Sequence, residues 1–303
     1  MLDHVFMKSE LPLRTQPIKD RLSLIVKEIL SVSDNKIDKI ILFGSYARGN
    51  WVDDTYVEGH ITYSYQSDLD ILLVIKKGKY SHSLALKIEE KIEKQLKKKK
   101  LEDNPWVTLI IEPIGLVNKQ LEKGQYFFSD IKKEGVLLYD SGEYELSKAK
   151  ELNNKERASI AQDDYDYWFN SGNSFLLDCN HAMSREDYSK AAFELHQATE
   201  RFYNAILLVF SGYKPKLHNI RKLGAMVSNY HNDLLKIFPI DIPEQKKCFE
   251  LLRKAYIEAR YNKNYSINKT QLDYLMERVE KLKTVTKNIC LTEIRRLEDS
   301  SKK

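Results

Sequence analysis

Two short apolar runs restrict the fold of the first half of this chain more than any other feature. The first, Ile40–Phe43, ends abruptly at Gly44–Ser45, and the second, Leu69–Ile75, begins beside Asp68 and contains Asp70. Apolar runs of four to eight residues bounded by turn signals are typical of buried strands. Because side chains alternate along a strand, we expect both carboxylates on one face of the second strand.

The residues around these runs predict a metal-nucleotide site. Two carboxylates this close repel each other unless a cation lies between them, and a hard divalent ion such as Mg²⁺ or Mn²⁺ suits carboxylates together with substrate phosphates. Gly44 lets the backbone approach a ligand closely, and Ser45 offers a hydroxyl and an amide where a helix starts. The alternative is an ordinary turn followed by two surface carboxylates.

The Gly44–Ser45 pair, followed by Asp68 and Asp70 in an apolar strand, resembles the DNA polymerase β-like nucleotidyltransferase superfamily. The sequence Gly-Ser-Tyr-Ala-Arg-Gly at 44–49 is most similar to its minimal nucleotidyltransferase branch. The resemblance implies that the Gly-Ser turn holds a nucleoside triphosphate, with Arg48 as an additional phosphate contact. It also implies that Asp68 and Asp70 are catalytic residues that bind Mg²⁺ or Mn²⁺.

The sequence departs from the family pattern in two places. The link Asn50–Gln66 is longer than usual, which predicts an inserted loop or hairpin. The strand Trp106–Glu112 carries Thr108 where the family has a third carboxylate. Glu112 has the same alternation as Thr108, so one hypothesis makes Glu112 the third catalytic carboxylate, which accepts the proton of an incoming hydroxyl. A structural or solvent-facing role for Glu112 is the alternative.

The pattern of apolar residues divides the chain into two domains. Over residues 1–145, strands alternate with helices, which predicts a small mixed-sheet domain. From 146 to 303 the apolar residues recur at helical spacing, with helices expected at about 158–185, from 187, from 219, at 243–260 and at 270–297. The predicted fold class is α+β: a nucleotidyltransferase domain followed by an all-α antiparallel helical bundle.

Two stretches of the second half, Lys190–Glu200 and Gly212–Ile220, resemble the HEPN family of helical domains. Many HEPN domains are ribonucleases that use an arginine followed, four to six residues later, by a histidine. Here Arg260 is present, but no histidine follows at that spacing, and position 265 is a tyrosine. Without an imidazole the obvious general acid or base is absent, so we expect no ribonuclease activity. Arg260 and Tyr265 are then remnants of the motif.

Other residues of the bundle have structural interpretations by default. We expect His196 to be a hydrogen-bonded core or interface residue and His218 to cap or orient the third helix. Tyr261 and Tyr265 are ordinary bundle aromatics. A minority hypothesis makes one of these tyrosines an acceptor of a transferred nucleotide, because tyrosines of HEPN partners in this family are modified in this way.

Composition limits the remaining choices. The chain has 303 residues and a net charge of +5, which permits attraction to nucleotides or RNA but supports nucleic-acid binding only weakly. The three cysteines lie far apart without metal-ligand spacing, which predicts free thiols in a reducing compartment. Because no apolar run approaches the ~20 residues of a membrane span, we expect a soluble, cytoplasmic protein without membrane partners.

Two hypotheses of function follow. In the first, the protein is a Mg²⁺-dependent nucleotidyltransferase that moves a nucleoside monophosphate from a triphosphate to a hydroxyl of a protein, small molecule or RNA. The helical domain then selects the acceptor and forms a homodimer. In the second, the chain is a catalytically weak regulatory or binding module of toxin–antitoxin or defence type.

Overall fold

The computed structural model describes residues 7–51, 53–58, 61–76, 82–99, 101, 105–215 and 217–300. The chain divides into two compact units, Met1–Glu151 and Leu152–Lys303, each of which is described by itself. The fold class is α+β, with a small four-stranded mixed sheet in the first unit and helices in the second. None of the helices in the described ranges combines the length and the apolar character that a bilayer span requires.

The N-terminal unit alternates strands and helices, as the sequence predicts. After a 3₁₀ turn its elements follow in this order: α1 Lys19–Val32, β1 Ile37–Phe43, α2 Gly44–Arg48, β2 Asp53–Glu58, β3 Ile61–Gln66, β4 Leu69–Ile75, α3 His82–Lys98, β5 Val107–Pro113, α4 Ile114–Glu122, α5 Tyr126–Glu134 and β6 Val136–Asp140.

The main sheet has the strand order β5-β4-β1-β6. Strand β1 is antiparallel to both of its neighbours, whereas β4 and β5 are parallel. Because β1 and β4 are central, both of their faces are buried, and this explains their continuous apolar runs. Leu69, Ile71 and Leu73 belong to the same core as the apolar residues of α1 and α3. Asp70 alternates with them and therefore lies on the opposite face.

The long link between α2 and β4 forms a hairpin. The backbones of β2 and β3 pair antiparallel from Asp53–Gln66 to Glu58–Ile61 and make a two-stranded sheet. This pairing confirms the hairpin that the length of the link predicts. The inserted residues therefore form their own sheet and leave the order of the main sheet unchanged.

The second unit is helical. Its described secondary structure consists of five α-helices and a 3₁₀ turn. The α-helices are α6 Asn154–Ser184, α7 Tyr188–Ser211, α8 Ile220–Ser228, α9 Pro243–Tyr261 and α10 Lys269–Ser300. Helix α7 is the central element: it contacts α6, α8, α9 and α10. At Gly172 of α6 an added Cβ would lie 2.6 Å from the ring of Phe202, so this glycine allows α6 to pack closely against α7.

Capping residues fix several helix ends of this unit. Asn153 and Glu156 form a reciprocal capping box at the start of α6. Gly212 ends α7 in a left-handed conformation (φ 67°). Asn219 caps α8, because its side chain accepts hydrogen bonds from the backbone amides of Arg221 and Lys222. Of the two roles predicted for His218, to cap or to orient this helix, the capping role therefore belongs to Asn219 instead.

Candidate functional site

The turn after β1 is shaped by the close approach of a carboxylate to Gly44. Gly44 has a φ of 74°, and an added Cβ would lie 2.4 Å from Oδ2 of Asp70. The contact arises because Phe43 and Asp70 are opposite each other in the antiparallel β1–β4 ladder. Only glycine satisfies both the backbone conformation and this approach without strain.

The two aspartates lie on the same edge of the sheet as Thr108. The parallel register of β4 and β5 places Thr108 opposite Asp70. The hydroxyl of Thr108 donates a hydrogen bond of 3.1 Å to Oδ2 of Asp68. Gly44, Asp68, Asp70 and Thr108, together called the acidic edge below, therefore meet at one end of the central strands.

The electrostatics of the acidic edge favour a cation. The pKa of Asp70 is raised to about 8: burial is the largest cause, the negative charge of Asp68 adds to it, and the positive charge of Arg48 opposes both effects. Burial also raises the pKa of Asp68 to about 6, against the hydrogen bond from Thr108. Near pH 7 the pair thus retains about one proton, which a bound divalent cation would displace.

The donor atoms of the acidic edge fit Mg²⁺ or Mn²⁺. Both carboxylates supply oxygen ligands, the type that hard divalent cations prefer. Within the described ranges no group of three or more His, Cys, Asp or Glu side chains is placed to hold a metal. Two carboxylates leave most of the coordination sphere to other oxygens, an arrangement typical of Mg²⁺ bound together with substrate phosphates and water.

Ser45 and Arg48 lie on α2, directly after the turn. Among the residues that the structure describes, the Ser45 side chain has no hydrogen-bond partner. The backbone carbonyl of Ser45 accepts a hydrogen bond of 3.0 Å from the amide of Asn50. The guanidinium of Arg48 lies 3.5 Å from the carboxylate of Glu134, and both side chains are about half exposed. Gly44, Ser45 and Arg48 thus lie on one turn and short helix beside Asp70, and their role as nucleotide contacts stays a prediction.

Glu112 is not brought to the acidic edge. It is 2% exposed and lies opposite Val74, four residues along the parallel ladder from the pair formed by Asp70 and Thr108. Four residues of a strand span ~13 Å. The residue at the level of the aspartates is Thr108, and we give Glu112 no part in the site.

The helical unit contains a second polar cluster, around Tyr256. The ring of His218 stacks on Tyr256 with centroids 4.5 Å apart, and the guanidinium of Arg260 lies 4.7 Å from the same ring. Arg260 also lies over Phe193 and Tyr261, at 5.0 and 4.9 Å. This arginine is therefore packed among three aromatic rings, although it is exposed to solvent.

A buried carboxylate holds His218 in place. Glu200 of α7 accepts a hydrogen bond from Nδ1 of His218, with distances of 3.1 and 3.2 Å to its two oxygens. The sequence alone did not indicate this contact, because the two residues are on different elements. His196 is fully buried between the carbonyls of Leu252 and His218, which confirms its predicted structural role. Burial lowers the pKa of His196.

The two tyrosines near Arg260 differ in exposure. The hydroxyl of Tyr265 donates a hydrogen bond of 3.0 Å to the carbonyl of Leu251, and burial raises its pKa. Tyr261 is 76% exposed. Tyr265 is thus a packed residue of the bundle, whereas Tyr261 is accessible.

The helical unit has a counterpart among known protein families. Residues 165–289 match the HEPN domain. The match covers α7, α8 and α9 completely, together with most of α6 and α10, and does not extend into the N-terminal unit. No curated protein matches the chain. The HEPN resemblance inferred from two short stretches is therefore confirmed for the helical unit.

Proposed function

We propose that the N-terminal unit is a Mg²⁺-dependent nucleotidyltransferase, which moves a nucleoside monophosphate from a triphosphate to a hydroxyl acceptor. The observation that carries the proposal is the close approach of Asp70 to Gly44, with Asp68 on the same edge of the sheet. A glycine turn whose backbone can approach phosphates and a carboxylate pair that can bind a metal are the two parts that such a reaction requires. The turn follows β1 and the carboxylates belong to the start of the adjacent strand β4, which supports the proposal.

Each residue has a role in this proposal. Gly44 lets the backbone of the turn come close to the Asp70 carboxylate, and Ser45 offers a hydroxyl without another partner among the described residues. Arg48 contributes positive charge beside the pair. Asp68 and Asp70 hold the divalent ion, which would neutralise charge on the α-phosphate and the departing pyrophosphate. The acceptor hydroxyl is expected to be selected by the helical unit.

The second candidate is a regulatory or binding module in which nucleotidyl transfer is weak or absent. Thr108 favours it, because this neutral residue occupies the position opposite Asp70 and cannot accept a proton from an acceptor hydroxyl as a carboxylate would. The HEPN match is compatible with a module of toxin–antitoxin or defence type. A homodimer through the helical unit and contact with RNA are parts of this proposal as well.

Binding and labelling assays separate the candidates. The first assay is the shift in melting temperature on addition of each ribonucleoside triphosphate, with and without Mg²⁺, for the full chain and for Asp70→Asn. A ligand at a hundred times its Kd adds ~2.7 kcal/mol to the free energy of unfolding. Asp20→Asn, an exposed change on α1, is the matched control.

The second assay incubates the protein with α-labelled triphosphates and cell extract. Label that appears on an acceptor and is lost in the double variant Asp68→Asn, Asp70→Asn supports nucleotidyl transfer. Undiminished labelling by the double variant would exclude the proposed mechanism. Binding without transfer, or the absence of any triphosphate binding, would select the regulatory or binding module over nucleotidyl transfer.

A further inference from the structure

Arg48 lies close to two acidic groups of the N-terminal unit. On one side it is the last residue of α2, the short helix that begins at Gly44 beside the Asp70 carboxylate. On the other, its guanidinium is 3.5 Å from Oε2 of Glu134. The same guanidinium is therefore shared between the proposed phosphate site and a carboxylate that belongs to no other described ion pair.

The position of Glu134 is fixed by its backbone. It is the last residue of α5, and the amide of the next residue, Gly135, donates a 2.8 Å hydrogen bond to the carbonyl of Ile131. An added Cβ at Gly135 would lie 2.8 Å from the side chain of Ile41, so the end of α5 is packed tightly against β1. The backbone of Glu134 is thus held near α2 by the fold, and its carboxylate can reach Arg48.

The ion pair itself is loose enough to exchange. Its separation of 3.5 Å exceeds that of a charge-assisted hydrogen bond, and the two side chains are 46% and 42% exposed. Pairs of this kind have coupling energies that correspond to no more than about a fivefold change in an equilibrium constant. A triphosphate, with several charges and bidentate geometry for a guanidinium, competes well against a single carboxylate.

We propose that Glu134 is a positioning residue that competes with the triphosphate for Arg48 and so weakens nucleotide binding. The inference rests on the proposed function of the acidic edge. When the nucleotide is bound, Arg48 contacts the phosphates, and when product leaves, Glu134 takes the guanidinium back. Nucleotide release is therefore faster than it would be with a free arginine.

A double-mutant cycle tests this inference. The Kd of Mg²⁺–ATP is measured by calorimetry for the full chain and for Glu134→Gln, Arg48→Gln and the double variant. We expect Glu134→Gln to bind up to about fivefold more tightly, and Arg48→Gln to bind more weakly. The double variant should match Arg48→Gln, because Glu134 acts only through the arginine. Glu143→Gln, which breaks the Lys76 pair of the same unit, should leave the Kd unchanged.

The possible results separate this inference from the proposed function. An unchanged or weaker affinity of Glu134→Gln would overturn the inference while nucleotide binding by the unaltered chain still supports the site. An equal gain in the Arg48→Gln background would also overturn it, since Glu134 would then repel phosphate directly. If the unaltered chain and every variant fail to bind any triphosphate, the proposed function fails together with the inference. Melting temperatures of all variants establish that each is folded.

Discussion

Thr108 donates its hydroxyl hydrogen to the carboxylate of Asp68 across the parallel pair of strands β4 and β5. The bond stabilises the ionised form of Asp68 and opposes the increase in pKa that burial causes. A neutral residue thus adjusts the charge of the acidic edge at the position where a third carboxylate was expected.

Replacing Thr108 by Val should weaken metal binding near pH 6. The variant loses the hydrogen bond but keeps the side-chain shape, so the pKa of Asp68 rises above about 6 and fewer molecules carry the ionised carboxylate. Calorimetric titration with Mn²⁺ at pH 6 and pH 8 should show a several-fold loss of affinity that is larger at the lower pH. An equal loss at both values would indicate a packing defect instead.

Replacing Thr108 by Asp should strengthen metal binding. A third carboxylate opposite Asp70 adds an oxygen ligand and negative charge. We expect Mn²⁺ affinity at pH 8 to increase by about an order of magnitude, in line with the 10–100-fold effects of partners that support a metal site. If the gain is absent, the side chain at 108 does not face the ion.

The free energy of unfolding should fall as pH rises. The folded-state pKa values of Asp68 and Asp70, about 6 and about 8, lie above the value of ~3.9 for an unfolded Asp. At these two carboxyls the folded chain therefore binds more protons than the unfolded chain between pH 4 and pH 8, and their contribution to stability declines over that range. Urea unfolding followed at pH 5 and pH 8 measures the effect.

Asp70→Asn should remove most of this pH dependence and raise stability at pH 8 by at least ~1 kcal/mol. The amide carries no charge to be buried beside Asp68, which is the second cause of the high pKa of Asp70. The control Asp20→Asn should retain the pH dependence of the unaltered chain. Equal slopes in the two variants would contradict the assigned pKa values.

Gly44→Ala should damage the site and the fold together. The methyl group would meet Oδ2 of Asp70 at 2.4 Å, and the φ of 74° is unfavourable for alanine. Strain of this kind costs ~1–3 kcal/mol. Gly115→Ala in α4 is the matched control, because its Cβ would have no neighbour within 4 Å. Thermal melts of both variants, with and without Mg²⁺–ATP, check the prediction.

The contact between Glu200 and His218 should stabilise the helical unit. His218→Ala leaves the buried carboxylate of Glu200 without this donor and should cost ~1–3 kcal/mol. The exposed His181→Ala on α6 should be neutral. A cycle with Glu200→Gln measures the coupling of the pair, and a coupling near zero would show that the contact has no role in stability.

Local sequence patterns predict most of the elements of this fold. The helical spacing along α7 and the apolar runs of β1 and β4 are visible in short stretches of sequence. Burial of a helix leaves apolar residues at helical spacing, and burial of both faces of a strand leaves a continuous apolar run. The glycine turn and the two aspartates of the acidic edge were found in the same way. Each signal lies within a few residues of chain.

The contacts that tune the sites could not be predicted in this way. Thr108 meets Asp68, Glu134 meets Arg48 and His218 meets Glu200 through the register of elements that are 18 to 86 residues apart. Register depends on how strands and helices pack against each other, and a short stretch of sequence carries no information about that packing. The expectation that Glu112 lies at the acidic edge has the same origin. Alternation gives the face of the strand on which a residue lies, but not its position along the strand.

The central position of α7 has a consequence for how the helical unit can diverge. A surface helix can accept new side chains on its outer face, whereas α7 is covered by four other helices and offers almost no such face. Substitutions in it require matched changes in several neighbours at once. When related sequences are collected, α7 should therefore change most slowly, and the peripheral helices should carry the differences that distinguish one relative from another.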